Sequence, residues 1–341
     1  MSELFDNIAR LSVLCGTSGD EDDIRAQIIS VLPADCEYKT DNIGNLTVFK
    51  KGAKAPKNKI MLCAHMDEVG FIITAVTSDS RLKFAPVGGI SPGVVYGRRV
   101  IFRNGMTGVI GAKALHHLSS PEKDSQPKID ALCIDIGAEN EEEAKKHVSP
   151  GDFCYFRSEY EEFGSGFIKC KALDDRVGCA ILLDMLGREQ EYDMYCVFTV
   201  QEEIGTRGAL CAAHNVKPDM AVILETTTAC DIPGSDGEKK VCVLGDGAVV
   251  SFMDRSTIYD RELYELARRE ADKAGIKNQT KSVIAGGNDS GAIHKAAGGI
   301  RTAAISVPTR YLHSPACVMK KEDVEASARL AQLLFEKLAV L

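Results

Sequence analysis

The chain has 341 residues, 45% of them hydrophobic and 26% charged, and a formal net charge of −8. That composition supplies a sizeable core with room for two domains. The acidic balance argues against nucleic acid or an anionic membrane as partner, since either wants a basic face.

No apolar stretch approaches the roughly 20 residues needed to span a bilayer. The N-terminus, MSELFDNIARLSVL, is amphipathic and lacks the unbroken apolar core of a signal peptide. The twelve cysteines include no pair at C-x-x-C spacing. Cys63, Cys133, Cys196 and Cys242 lie inside apolar runs and read as small buried hydrophobes in a reducing compartment. A soluble, cytoplasmic protein without disulfides is expected.

Along the chain, Ser18 and Glu21 stand at the S-x-x-E spacing of a capping box, predicting a helix that runs to about Leu32. Strands follow at 45–50 (NLTVFK) and 59–66 (KIMLCAHM). From Asp67 to about Gly166 the texture changes to short β-like runs, GFIITAV, LKFAPVG, RRVIFR, GMTGVIGAK and DALCIDIG, set apart by Gly, Pro and Asn. One helix-like insert, ENEEEAKKHV, interrupts them. Evenly spaced short strands of this kind predict a small barrel-like β domain.

After Gly166 the α/β pattern returns. Residues 174–190 have helical periodicity, YCVFTV (195–200) reads as a buried strand, and helix-like GALCAAHNV leads to a strand at 219–225. A helix is predicted in STIYDRELYELARREADKAG, then short strands at SVIAG and TAAISVP, then a strongly amphipathic terminal helix. The simplest architecture is one α/β domain with a β-rich insertion after His65.

Chemistry-bearing side chains fall at the ends of these elements. His65 and Asp67 end one strand, Asp174 and Asp175 open a helix, Glu202 and Glu203 close a second strand, Glu225 closes a third, and His313 sits in a loop. In open α/β sheets functional groups gather at the carboxyl ends of strands. Two histidines and several carboxylates on one such edge make a plausible dinuclear metal site. Nitrogen and oxygen donors without thiolate suit Zn²⁺ or Co²⁺. Taken singly, each element has a plainer reading: a hydrogen-bonded structural histidine, first-turn acids that favour the helix dipole, a turn after Glu225. His116, His117, His147, His214 and His294 receive no ligand role. Five separate segments contributing compatible side chains favour the metal.

The stretches AHMDEVGFI (64–72), KALDDRVGCA (171–180), VQEEIGTRGA (200–209), GGNDSGAIH (286–294) and VPTRYLHSP (307–315), with GVIGAKALHH and DIGAENEEEA between them, resemble the M42 metallo-aminopeptidases along nearly the whole chain. The resemblance implies a metallopeptidase catalytic domain, 1–66 and 167–341, whose mixed sheet is flanked by helices. An inserted PDZ-like β-barrel, 67–166, would serve as lid or oligomerisation domain. It implies two divalent ions per subunit: His65 and Glu225 on one, Glu203 and His313 on the other, and Asp174 bridging both. Glu202 would be the general base and Asp67 would orient His65. Peptide substrates and a homo-oligomer, in the family a dodecamer, are implied as well. Position 225 is usually Asp in the family, and Asn288 and Ser290 replace the more usual Thr and Ala; these departures bear on substrate choice more than on reaction type.

Two other functions remain open at the level of sequence. A glycoside hydrolase would need its two carboxyls about 5–9.5 Å apart across a sugar bond. Adjacent residues on a strand point to opposite faces, which makes Glu202 and Glu203 a poor pair of that kind. The absence of tryptophan also removes a favoured sugar platform. A non-catalytic metal-binding homologue is the other alternative, though every ligand type and the candidate base are present.

Overall fold

The computed structural model describes residues 2–117, 119 and 128–341. Strand Ile60–His65 has all six residues buried. Alternation sends Ile60, Leu62 and Ala64 into one apolar cluster and Met61 and Cys63 into another. A strand with two buried faces needs cover on both sides, and helices supply it. Helices Ser2–Val13, Leu173–Leu186 and Lys321–Ala339 contribute to the first cluster, and Arg207–Val216 to the second. The terminal helix buries Val324, Ser327, Ala328, Leu330, Ala331, Leu334, Phe335 and Leu338, a stripe at helical spacing.

The sheet has eight strands in the order Cys36–Thr40, Leu46–Lys50, Met194–Thr199, Ile60–His65, Met220–Thr228, Arg301–Thr309, Ala248–Val250 and Asn278–Thr280. The four strands from Met194–Thr199 to Arg301–Thr309 run parallel, with antiparallel pairings beyond them on both sides. Parallel pairing brings the carboxyl ends of strands bearing His65 and Glu225 to one edge.

A second body closes on itself. Strands Gly70–Val76, Leu82–Val87, Cys133–Asp135, Thr107–Gly111, Arg99–Phe102 and Phe153–Phe156 form a closed barrel in that order. Its core includes Phe71 edge-on to both Phe84 (5.2 Å, 82°) and Phe156 (5.0 Å, 78°). Full burial of such a ring contributes about 2 kcal/mol. The fold is therefore α/β, a large mixed sheet flanked by helices, joined to a closed six-stranded barrel.

Several elements differ from expectation. The capping box does not form: helix Asp22–Ser30 begins with no side-chain cap, and Ser18 Oγ donates to Asp67 Oδ2 instead, at 2.6 Å. A buried carboxylate is the stronger partner because its charge assists the bond. SVIAG is not a strand; the paired residues are Asn278–Thr280. There the chain leaves the sheet, and Lys281 Nζ takes the Ala285 carbonyl at 2.7 Å to close a loop. Strands Phe153–Phe156, Glu161–Phe163, Phe167–Cys170 and Cys317–Lys320 were not anticipated; the last three form a small antiparallel sheet. The strand before the paired glutamates stops at Thr199, and the strand containing Glu225 continues to Thr228.

Candidate metal centre

His65 is the last residue of its strand and its side chain is 2% exposed. Its Nδ1 lies 3.0 Å from the Asp67 carbonyl oxygen. Donation from Nδ1 to that carbonyl fixes the tautomer the ring takes when neutral, in which Nε2 carries the lone pair. Nε2 faces Asp174 Oδ1 at 3.4 Å and Glu225 Oε1 at 3.6 Å. The Asp67 carboxylate is also near the ring, 3.5 Å from Nδ1.

Asp174 and Asp175 are not ordinary first-turn acids. Ala172 is left-handed (φ 50°), and both aspartates have non-helical backbone angles, with a cis peptide between them. Asp175 turns under the site, where its carboxylate accepts the N–H groups of His65 (3.3 Å) and Gly178 (3.1 Å). Asp174 points the other way. Its Oδ2 lies 3.4 Å from His313 Nε2, so the two oxygens of one carboxylate face two imidazoles.

His313 occupies a loop at φ 55°. Its Nδ1 is 2.6 Å from the carbonyl of Gly89, in the segment that follows a barrel strand. Donation to that carbonyl again leaves Nε2 with the lone pair, 3.2 Å from Glu203 Oε2. Among the described residues two potential ion-holding groups emerge, His65–Asp174–Glu225 and Asp174–Glu203–His313, each with ligand atoms within 4.8 Å of one another.

Glu202 and Glu203 lie beyond the strand, in a turn closed by the N–H groups of Gly205 and Thr206 on the Glu202 carbonyl. Strand alternation therefore does not separate them, contrary to expectation. Their backbone N–H groups instead clasp the two oxygens of Asp67, Glu202 on Oδ1 at 3.0 Å and Glu203 on Oδ2 at 3.1 Å. Glu203 belongs to one of the two groups and Glu202 to neither.

The residues fit divalent ions. Asp174 Oδ1 is buried with no hydrogen-bond partner, although an imidazole stands 3.4 Å away. Lone pairs of two histidines and three carboxylates converge, an arrangement that repels itself unless cations or protons lie between them. In the metal-free chain protons take that place. Burial pushes the Glu203 carboxyl up to about 8, His313 offsetting and Asp174 reinforcing the effect. Burial pushes Glu225 up to about 7 against the pull of His65. For His313, burial opposes the charged form, but Asp174 and Glu203 outweigh it and raise the imidazole to about 9. Burial also opposes a charged His65, yet Glu225, Asp174 and Asp67 hold it well above its ordinary value. Asp174 stays well below the usual range despite burial, because both imidazoles favour its charged form. Glu202 is driven well above its usual value by burial, with Glu225, Asp289 and Glu203 adding repulsion.

All five sequence-selected ligand candidates thus meet at one edge, with Asp67 and Glu202 beside them. His116 and His117 stack on each other (4.2 Å between centroids), and His294 bonds its own helix at Ser290. Sequence reasoning singled out Asp175 but missed its role beneath His65, and it missed the Gly89 carbonyl and Asp289, which accepts from Thr199 at 2.5 Å. Only Asp175 carried a signal, as the second of a tandem pair.

A family model for the M42 glutamyl aminopeptidases matches residues 44–330. The lysyl aminopeptidase of Pyrococcus furiosus is 32% identical over 339 residues, covering 95% of this chain and 94% of its own. Among solved structures, an aminopeptidase from the archaeon Desulfurococcus kamchatkensis superposes with a TM-score of 0.93 at 32% identity, covering 98% of this chain and 95% of that one. The TET1 peptidase of Pyrococcus horikoshii, described as able to assemble into a tetrahedron or a large octahedral shell, gives 0.85 at 35%, with 97% and 98% covered. A Thermotoga maritima structure titled endoglucanase gives 0.79 at 34%, with 97% and 98% covered. This chain belongs to the M42 glutamyl aminopeptidase family and is a peptide hydrolase.

Proposed function

We propose that the protein is a dinuclear-metal aminopeptidase that removes the first residue from peptides, with Glu202 as general base. The observation that carries this reading is the pair of ligand groups sharing Asp174, whose buried Oδ1 has no hydrogen-bond partner. His65 and Glu225 would hold one divalent ion and Glu203 and His313 the other, with Asp174 common to both groups. The donor set, free of thiolate, suits Zn²⁺ or Co²⁺. Bound divalent ions supply a lowered water pKa and polarisation of the scissile carbonyl.

The protein's own groups do the rest. Asp67 accepts from His65 Nδ1 at its carbonyl and from the Glu202 and Glu203 N–H groups at its carboxylate, so one residue ties a candidate ligand imidazole to the turn that carries the base. Glu202 takes the proton of the attacking water and hands it to the departing amine, help worth about 10²–10⁴-fold. Glu225 offers the free α-amine of the substrate an anionic neighbour, which selects an end of the peptide over its middle.

The inserted barrel, assigned to 67–166, reaches the centre through Gly89 and acts as lid and assembly surface between the catalytic parts 1–66 and 167–341. A homo-oligomer is supported by the tetrahedron or octahedral shell of the Pyrococcus horikoshii relative, and a dodecamer by a further TET1 structure described as one. A reducing, cytoplasmic setting accords with twelve free cysteines, and among the described residues no helix is long and apolar enough to cross a membrane.

The test is a panel of aminoacyl anilides assayed with Zn²⁺, Co²⁺ and Mn²⁺, paired with an anomalous-scattering map. Cleavage that depends on metal, with two peaks flanking Asp174, supports the proposal. Reducing-sugar release by metal-free protein would instead support the glycoside-hydrolase reading that the endoglucanase-titled relative raises.

A further inference from the structure

The loop between the first two helices, residues 16–21, plays no part in the chemistry proposed above, yet it bonds both to Asp67–Glu68, just after His65, and to Gln201, just before the paired glutamates. Gly16 and Thr17 pair with Glu68: Glu68 N–H donates to the Gly16 carbonyl at 3.0 Å, and Thr17 Oγ1 to the Glu68 carbonyl at 2.6 Å. Ser18, 3% exposed, donates to Asp67 Oδ2 at 2.6 Å. Glu21, 4% exposed, accepts from Gly19 N–H at 2.8 Å and from Gln201 N–H at 3.1 Å through the same oxygen. Asp20 faces away from the centre towards the barrel, where its carboxylate accepts from Tyr155 Oη and from Arg103 at 2.5 Å.

These contacts converge on one need. Glu202 and Glu203 stand past the end of their strand, so sheet pairing does not place them. Gln201, just before them, sits at φ 56°, a conformation that costs about 1 kcal/mol or more for a non-glycine residue and persists only where its surroundings impose it. The N–H groups of Gln201, Glu202 and Glu203 all end on two carboxylates, Glu21 and Asp67. The loop holds both of those carboxylates. Nothing in a helix-capping role would require this, since helix Asp22–Ser30 takes no side-chain cap from Ser18.

We propose that residues 16–21 form a strap through which the barrel holds the Glu202–Glu203 turn on the ligand cluster, with Ser18 and Glu21 as positioning residues for peptide hydrolysis. Asp20, gripped by Tyr155 and Arg103, is the barrel end of the strap. Ser18 acts through Asp67 and Glu21 acts through Gln201; neither touches the reacting atoms. The role in hydrolysis rests on the aminopeptidase reading, whereas the mechanical link does not.

The experiment compares Ser18→Ala, Ser18→Thr, Glu21→Ala and Asp20→Asn in the full-length protein. It measures kcat and KM, bound metal, Tm, and hydrogen exchange of the peptide spanning 200–206. Ser18→Ala and Glu21→Ala are expected to lower kcat about tenfold or more with KM within about twofold, because a small misplacement of a catalytic group is costly. Exchange across 200–206 should quicken by a similar factor. Ser18→Thr, which keeps the hydroxyl, should recover most of both, and Asp20→Asn should change both in the same direction as Ser18→Ala. Wild-type exchange at 200–206 in both Ser18→Ala and Glu21→Ala overturns the strap, as does a lowered Tm with unchanged kcat. If the wild-type protein cleaves no peptide, the aminopeptidase reading fails, and exchange still decides the link.

Discussion

Metal binding to this centre should expel protons, and the number follows from the groups that hold them. In the metal-free chain His313 is raised to about 9, Glu203 to about 8 and Glu225 to about 7, and His65 lies well above its ordinary value. Near pH 7 the two imidazoles and Glu203 are therefore largely protonated, and Glu225 about half so. Every one of these groups must offer a lone pair to an ion, so the ion and the protons compete for the same atoms. Loading both sites at pH 7 should release about three protons per subunit.

The sign follows directly. Each raised pKa means that protons are held more tightly below it, so apparent metal affinity falls as pH drops through about 9, 8 and 7. It levels off only above the highest of them. Around pH 7 the combined association constant should change by about three decades per pH unit, one for each proton released. Isothermal titration of metal-free protein with Zn²⁺, in two buffers of different ionisation enthalpy, counts the protons through the difference in heat. Buffer-independent heats, with an affinity flat between pH 6.5 and 8.5, would refute the assignment of these imidazoles and carboxylates as ligands.

Glu202→Gln should lower kcat by about 10²–10⁴-fold while two ions remain bound; loss of metal on elemental analysis would make Glu202 a ligand instead. Arg176 is fully buried, donates to the carbonyls of Leu11 (2.7 Å) and Gly16 (3.1 Å), and stands 3.9 Å from Glu68. Arg176→Met should cost about 3–5 kcal/mol in urea unfolding, because it strips a charge partner from buried Glu68; a loss under about 1 kcal/mol would mean that Lys171 alone compensates Glu68. Gly208→Ala would place a methyl 2.3 Å from Asn45 Oδ1 and 2.4 Å from the Val200 carbonyl. That crowding should cost about 1–3 kcal/mol in thermal unfolding, and an unchanged Tm would show that the helix can withdraw freely.

The ligand candidates were legible because strong local signals mark the edge on which they sit. IMLCAH has the texture of a strand buried on both faces, and it is one. A charged residue at the end of such a strand has nowhere to go but the sheet edge, and parallel pairing aligns several such ends. What stayed hidden depended on which of two partners a polar group would choose. Ser18 and Glu21 match a capping box as well as any pair, but the same hydroxyl can reach a carboxylate 49 residues away. That acceptor wins because a charged, buried partner is worth more than a helix-end N–H that water can satisfy. The barrel strand Phe153–Phe156 was missed for a related reason: its partners are Phe71 and Ile72 on one side and Val100 to Phe102 on the other, contacts distant in sequence.

The paired glutamates carry the sharper lesson. Their adjacency suggests two faces of one strand, and it is from that geometry that they read as a poor pair of sugar-cleaving carboxyls. The strand ends at Thr199, so the inference had the wrong cause. What separates the two side chains is a turn whose N–H groups are spread over Asp67 and Glu21, so the surroundings of Glu202 are governed by residues near the N-terminus and, through Asp20, by the barrel. Burial and neighbouring charge then raise the Glu202 carboxyl well above its usual value. A side chain placed by a turn instead of a strand can be moved by whatever moves the turn, so on the proposed assignment of Glu202 as base the barrel's grip on Asp20 bears on catalysis.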